Sequence, residues 1–190
     1  MSRWEPDATG RMVAAALDLY ETRGYESTTA TDIAIRAGVT ERTFFRHFSD
    51  KREVLFAGSS DLENLILQGI ADAGDVPALD MALNAYRTAA PIFETTRDFI
   101  VRRARVVLDN PNLRERELLK MHSLAVVIRN AMIDRGVPPT ASAVAAECAT
   151  SVFTIAFEKW IDGAESEGLI LAIESVAREL KSIADEFQVE

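Results

Sequence analysis

Cysteine is nearly missing. Cys148 is the only one in 190 residues, which excludes an internal disulfide and a thiolate zinc cage. Histidine is almost as scarce, with His47 and His122 alone, and neither has a glutamate three residues before it, as a helical di-iron carboxylate centre requires. The chain has no P-loop, no dinucleotide-binding glycine fingerprint, no G-x-S-x-G and no H-E-x-x-H, so no enzyme activity, metal or cofactor is expected. Long apolar runs are missing too. The longest is six residues, 12–17, against the ~20 a membrane helix needs. It is also too short for a signal-peptide core, and Glu5 and Asp7 spoil the basic flank. The expectation is a cytoplasmic protein with no membrane partner.

What is present is the balance of a folded globular chain: 48% hydrophobic and 27% charged residues. Lys and Arg number 21 against 30 Asp and Glu, a net charge of −9. Taken whole, that argues against binding to phosphates. Residues 57–190 carry most of it, at −8, while residues 36–52 hold Arg36, Arg42, Arg46, Lys51 and Arg52 against Glu41 and Asp50, a net of +3. Screening over ~8 Å lets such a local face act in spite of distant charge.

Apolar spacing is helical throughout, and strand-like alternation never persists. The first helix is expected over 8–23, with Val13, Ala16, Leu17 and Tyr20 on one face and Gly24 ending it. Thr29 with Asp32 three residues on makes a capping box for a short second helix, which Gly38 stops. Thr40 caps a third, in which Phe44 and Phe48 point inward one turn apart. Asp50 with Glu53 repeats the box and is expected to open a fourth helix reaching about 73. Five more follow at about 78–90, 92–108, 112–135, 140–162 and 168–187, with breaks at Pro91, Pro111, Pro138-Pro139 and residues 163–168. The fold expected is all-α, about nine helices: a front unit over 8–68 built on three helices, then a larger helical bundle over 69–190.

Two helices of about eight residues joined by Gly38-Val39 and a capping threonine are the sequence form of a helix-turn-helix. The turn must be short so that the first helix crosses the DNA backbone while the second enters the major groove. With Phe44 and Phe48 facing in, Glu41, Arg42, Phe45 and Arg46 are left outside. Arg42 and Arg46, spaced i, i+4, can reach base edges or phosphates together. Lys51, expected in the first turn of the next helix, would meet a phosphate beside free backbone N–H groups.

Gly24-Tyr25, Thr28-Thr29, Asp32-Ile33-Ala34, Ala37-Gly38-Val39-Thr40, Thr43-Phe44-Phe45-Arg46-His47-Phe48, Lys51 and Leu55 together resemble the DNA-binding domain of the TetR family of transcriptional regulators. The resemblance is dense over 8–60 and architectural beyond it, and it implies a helix-turn-helix DNA-binding domain over 8–68 and a ligand-binding and dimerisation bundle over 69–190. It implies that Thr29, His47 and Lys51 contact phosphate, and that Thr40, Glu41 and Arg42 lie beside base edges. Two positions depart from the family pattern. Arg42 stands where many members have glycine, which implies an altered operator. Phe45 stands where tyrosine is usual and lacks its hydroxyl, leaving apolar contact with a thymine methyl.

In the bundle, 140–161 is apolar nearly all round and 169–187 carries a long apolar seam. Val152, Ile155, Leu169, Ile173, Val176, Leu180 and Ile183 are therefore expected in a twofold interface, as the resemblance also implies, giving a homodimer suited to a palindromic operator in double-stranded DNA. Phe93, Phe99, Arg102, Met121, Phe153 and Phe157 are candidates for binding an unknown small-molecule effector. The function expected is a transcriptional regulator, a repressor released by that ligand. The alternative is a helical protein-interaction module that has lost DNA binding.

Overall fold

A computed structural model describes residues 7–163 and 168–186. Among these the chain forms nine α-helices and no strand: α1 (Ala8–Arg23), α2 (Ala30–Arg36), α3 (Glu41–His47), α4 (Ser59–Asp72), α5 (Ala78–Thr95), α6 (Arg97–Leu108), α7 (Pro111–Asp134), α8 (Pro139–Asp162) and α9 (Leu169–Glu186), with a 3-10 turn at Glu53–Phe56. The prolines mark starts. Pro111 and Pro139 stand at the first helical position, where a missing N–H costs nothing. The final-helix expectation at Phe187 lies outside the described residues.

Packing divides the chain into two compact units. The first joins Met1–Ser59 to Asp98–Glu117, a grouping that a division into 8–68 and 69–190 does not contain. Its core holds Met12, Ala16, Leu17 and Tyr20 of α1, Ile33 and Ala34 of α2, Phe44 and Phe48, and Val54 to Phe56, together with Val106, Val107 and Leu113. Phe99 packs on this same core. Ion pairs tie the returning segment down: Arg102 donates to Asp18 at 2.7 Å and to Glu21 at 3.0 Å, and Arg116 to Glu53 at 2.9 Å. Arg103 donates to Glu117 and to the Leu55 carbonyl.

The second unit is Ser60–Arg97 with Leu118–Glu190. Here α8 packs along α5 and α9. Gly69 of α4 permits close approach of α5: a Cβ there would stand 2.7 Å from the Ala85 Cα. Asn84 fixes the crossing by donating to the Gly69 carbonyl at 2.8 Å. Tyr86, Phe93, Phe153, Phe157 and Trp160 form a continuous ring cluster, with Tyr86 stacked on Phe153 at 4.5 Å.

Three sequence expectations are corrected. The Asp50 carboxylate does cap, accepting from the Arg52 and Glu53 N–H groups, but only a 3-10 turn follows. Ala57 is extended and Gly58 adopts φ 82°, so α4 starts at Ser59. Pro91 does not break α5, which runs on to Thr95. The proline is exposed while Ala89 and Ala90 are buried, so the carbonyl it leaves unpaired lies toward water and the break falls at Thr96 instead. Finally, counting uninterrupted runs understates α8. Serines, threonines and two glutamates interrupt it, yet it is long and apolar enough by length and composition to cross a membrane, with a mean hydropathy of 1.4. In this fold 44% of that window is buried inside the chain.

Candidate nucleic-acid interface

The turn between α2 and α3 is built as its sequence demands. The Val39 N–H donates to the Ala34 carbonyl at 2.9 Å and the Gly38 N–H to Ile35 at 3.1 Å, closing α2 with paired back-bonds. Gly38 sits at φ 68°, where a side chain would be strained. Thr40 then caps α3 by accepting from the Thr43 N–H at 3.1 Å. At the other end of α2, Thr29 and Asp32 exchange bonds in a complete capping box. The Thr29 hydroxyl donates to Asp32 at 2.6 Å, and these bonds hold the Asp32 carboxyl below its usual range. Thr29 is thus a cap whose hydroxyl is already engaged.

Phe44 is fully buried and Phe48 nearly so, their rings 5.6 Å apart. This fixes the outer face of α3 as Glu41, Arg42, Phe45 and Arg46, all exposed. Phe45 leaves half its surface in water, its ring edge-on to Phe44 at 5.3 Å. Glu41 accepts from Thr31 at 2.9 Å, which turns its carboxylate toward α2. Among the described residues Arg42 has no hydrogen-bond or ion-pair partner, and Arg46 bonds only to His47, at 3.4 Å. His47 in turn shares a 3.2 Å hydrogen bond with Thr9 of α1. By contrast Arg23, Arg36, Arg52, Arg102, Arg103 and Arg116 each stand against a carboxylate. The two arginines without a carboxylate on α3 therefore give this surface its free positive charge.

Lys51 departs from expectation. It lies in the turn before the 3-10 segment, not in a helix, and its ammonium donates to the carbonyls of Tyr25 at 2.8 Å, Thr28 at 3.0 Å and Glu26 at 3.4 Å. No sequence motif signals that lock, because it depends on three carbonyls of the α1–α2 loop converging.

The expected effector residues separate. Phe93, Phe153 and Phe157 come together in the second unit, and Met121 is half-buried in α7 of that unit. Phe99 and Arg102 do not join them. Phe99 fills out the core of the first unit and Arg102 is held by Asp18 and Glu21. The bonds to Glu21 and Asp18 raise the Arg102 pKa further above its ordinary value. The interface expectation also divides. Val152, Leu169, Ile173 and Val176 are buried within the single chain, where α8 and α9 pack on each other, and cannot face a partner. Ile155 and Ile183 are each 47% exposed, and Leu180 is half-buried. An open cleft of about 450 Å³ lies elsewhere in the second unit, lined by Val76, Met81, Arg135, Pro138 and Ala141 among others. Among the described residues no group of three or more His, Cys, Asp or Glu side chains could hold a metal.

Residues 12–57 match the family described as bacterial regulatory proteins, tetR family. The HTH-type transcriptional regulator TcmR of Streptomyces glaucescens is 36% identical over 74 residues, 38% of this chain and 33% of that protein. The chain thus matches about a third of that relative's length. Two solved structures share the fold over almost the whole chain. One is Thermus thermophilus FadR, a TetR family transcriptional repressor in complex with lauroyl-CoA (20% identity, TM-score 0.54, 90% of this chain and 91% of that one). The other is the SmeT–triclosan complex (18% identity, TM-score 0.60, 90% of each chain).

Proposed function

We propose that this chain, whose residues 12–57 match the family of bacterial regulatory proteins, tetR family, is a cytoplasmic DNA-binding transcription regulator, a repressor that a small-molecule ligand releases. The observation that carries the reading is the pair Arg42 and Arg46, exposed one turn apart on α3 with no carboxylate to neutralise them. A helix that enters the major groove needs such donors on the face opposite its buried aromatics. Thr40, Phe45 and His47 complete that face. The reading head is assigned to 8–68 and the ligand-binding and dimerisation body to 69–190.

The protein works as a homodimer on a palindromic operator, with the exposed side chains of α8 and α9, Ile155 and Ile183 among them, at the twofold. Two heads then meet half-sites about 34 Å apart on one duplex. The effector is held in the second unit around Phe93, Phe153 and Phe157. The buried Arg97 Nε, which has no acceptor among the described residues, is a donor such a molecule can use. The chain passes between the two units at the first residue of α4, at the first residue of α6 and within α7. Binding in the body acts on the head through α7, which runs several residues into each unit. Ligand and operator oppose each other reciprocally, typically by ~1–3 kcal/mol.

The test is binding of duplex DNA selected in vitro from random sequence, at several salt concentrations. Salt-sensitive binding is expected. Arg42→Ala should change base preference at one or two positions, and Arg46→Ala should lower the salt slope by about 1. A wild-type protein that selects no duplex and shows no salt-sensitive binding would instead be a helical interaction module.

A further inference from the structure

We propose that the effector is an apolar carboxylic acid, its carboxylate taken by the Arg97 guanidinium and its hydrocarbon body laid against Phe93 and Phe157. The proposal rests on the ligand-responsive reading above, which it deepens by naming the class of molecule.

An arginine has five N–H donors and no acceptor. Arg97, the first residue of α6, uses only Nη2, which donates to the carbonyls of Trp160 and Gly163, each at 3.1 Å, and of Ile161 at 3.5 Å. Its Nε is buried and has no acceptor among the described residues. A buried donor left in that state costs stability, and the cost is higher on a charged group. The acid nearest in sequence on α5 is engaged elsewhere, since Glu94 accepts from the Leu169 N–H at 2.7 Å. The three carbonyls on Nη2 belong to the end of α8, whose dipole supplies only about half an elementary negative charge. A carboxylate on Nε supplies the rest, in a charge-assisted bond about twice as strong as a neutral one. An alcohol accepts the same bond and leaves the charge uncompensated.

The apolar half of the site begins where the guanidinium ends. The Arg97 Cζ lies over the Trp160 ring, 5.3 Å from its centroid. Trp160 meets Phe157 at 5.8 Å, and Phe157 meets Phe93 at 5.8 Å. Tyr86, Phe153 and Trp160 are buried and back this row, whereas Phe93 and Phe157 are half-buried and keep ring surface that a hydrocarbon can cover. One charged donor beside a row of apolar rings is the composition of a site that orients a small molecule by a single polar contact. Because Nη2 is already tied to the end of α8, the guanidinium is held before the ligand arrives, and little side-chain freedom is lost on binding.

The test compares decanoate with decanol, which share a body and differ in the head group. It uses the full chain carrying Trp4→Phe, so that Trp160 is the only tryptophan. Isothermal titration calorimetry below the micelle concentration should give decanoate a dissociation constant about tenfold lower than that of decanol, and the Trp160 emission should change as decanoate binds. In Arg97→Gln the two should bind alike, near the affinity of the unsubstituted site for decanol. Equal affinities at the unsubstituted site, or no binding of decanoate, would overturn the proposal. A preference that survives Arg97→Gln would overturn it as well, and so would calorimetric binding that leaves the Trp160 emission unchanged, because the acid would then sit elsewhere. If Arg97→Gln does not fold, the affinity ratio and the emission decide. None of these measurements uses DNA, so their failure leaves the DNA-binding reading standing. Decanoate that binds as expected should also weaken binding of the selected duplex; an unchanged affinity for that duplex would refute release by this ligand and leave the acid site intact.

Discussion

The two units differ in how they spend their charge. The first carries thirteen basic and thirteen acidic side chains and is neutral, whereas the second carries eight and seventeen, the entire −9. Within the neutral unit the balance is not uniform. Several of its arginines stand in pairs with carboxylates around α1, the 3-10 turn and the returning segment, whereas α3 presents two that have no carboxylate among the described residues. The acidic unit is instead organised by aromatic rings between α5 and α8. An isoelectric point therefore says little about DNA binding. What decides is which cations are left without partners, and on which face.

The largest test of that contrast removes one ring from each core. Phe44→Ala and Phe153→Ala should each cost about 3–5 kcal/mol of unfolding free energy, read by denaturant titration, because both rings are buried and in contact with others. Only Phe44→Ala should abolish operator binding when both variants are compared under folding conditions. A cost below about 1 kcal/mol at Phe153 would mean that its surroundings collapse easily, and the ring cluster would not be what holds the second unit together.

The same contrast explains what could be read in advance. In the first unit the signals were local and typed: Thr29 with Asp32, Gly38, Thr40, and the Phe44–Phe48 spacing each dictate one bond or one turn, and the structure contains them. The bonds of Lys51 were not legible because its partners are carbonyls, which every residue has, and only the folded loop brings three to one point. The acids that hold Arg102, Asp18 and Glu21, lie more than eighty positions away, so no local spacing points to them. In the second unit, periodicity identified α8 and α9 but not which side each would bury. A helix apolar nearly all round permits several choices, and packing within the chain consumed Val152, Leu169, Ile173 and Val176. Pro91 shows the limit of a breaker rule. An exposed proline on a helix with buried alanines beside it costs one bond that water can replace.

A smaller intervention separates buried from presented residues in the acidic unit. Ile155→Glu combined with Ile183→Glu should leave protomer stability within about 0.5 kcal/mol per site, as for exposed positions. The same variant should convert a dimer to a monomer in sedimentation velocity. Val152→Glu, by contrast, places a charge at a residue 2% exposed and should unfold the chain. A double variant that stays dimeric would move the twofold to another surface.

The smallest effect belongs to the one polar pair inside the ring cluster. The Tyr86 hydroxyl and the Thr150 hydroxyl are 2.8 Å apart and buried, and Thr150 also donates to the Ala146 carbonyl. Tyr86→Phe should therefore cost about 1 kcal/mol at neutral pH. Burial pushes the Tyr86 phenol from 10.0 up to about 12, the bond from Thr150 acting the other way. A raised folded-state value means that the neutral phenol stabilises the fold fully below pH 10 and that this contribution is lost as pH rises toward 12, at up to roughly 1.4 kcal/mol per unit. The advantage of the wild type over Tyr86→Phe should accordingly shrink above pH 10 and reverse near about pH 11, with Tyr20 and Tyr25 cancelling because both proteins keep them. Urea unfolding of the two proteins across pH 8–12 reads this directly. A gap that stays constant over that range would mean the phenol ionises alike in the folded and unfolded chain, and so is in contact with water.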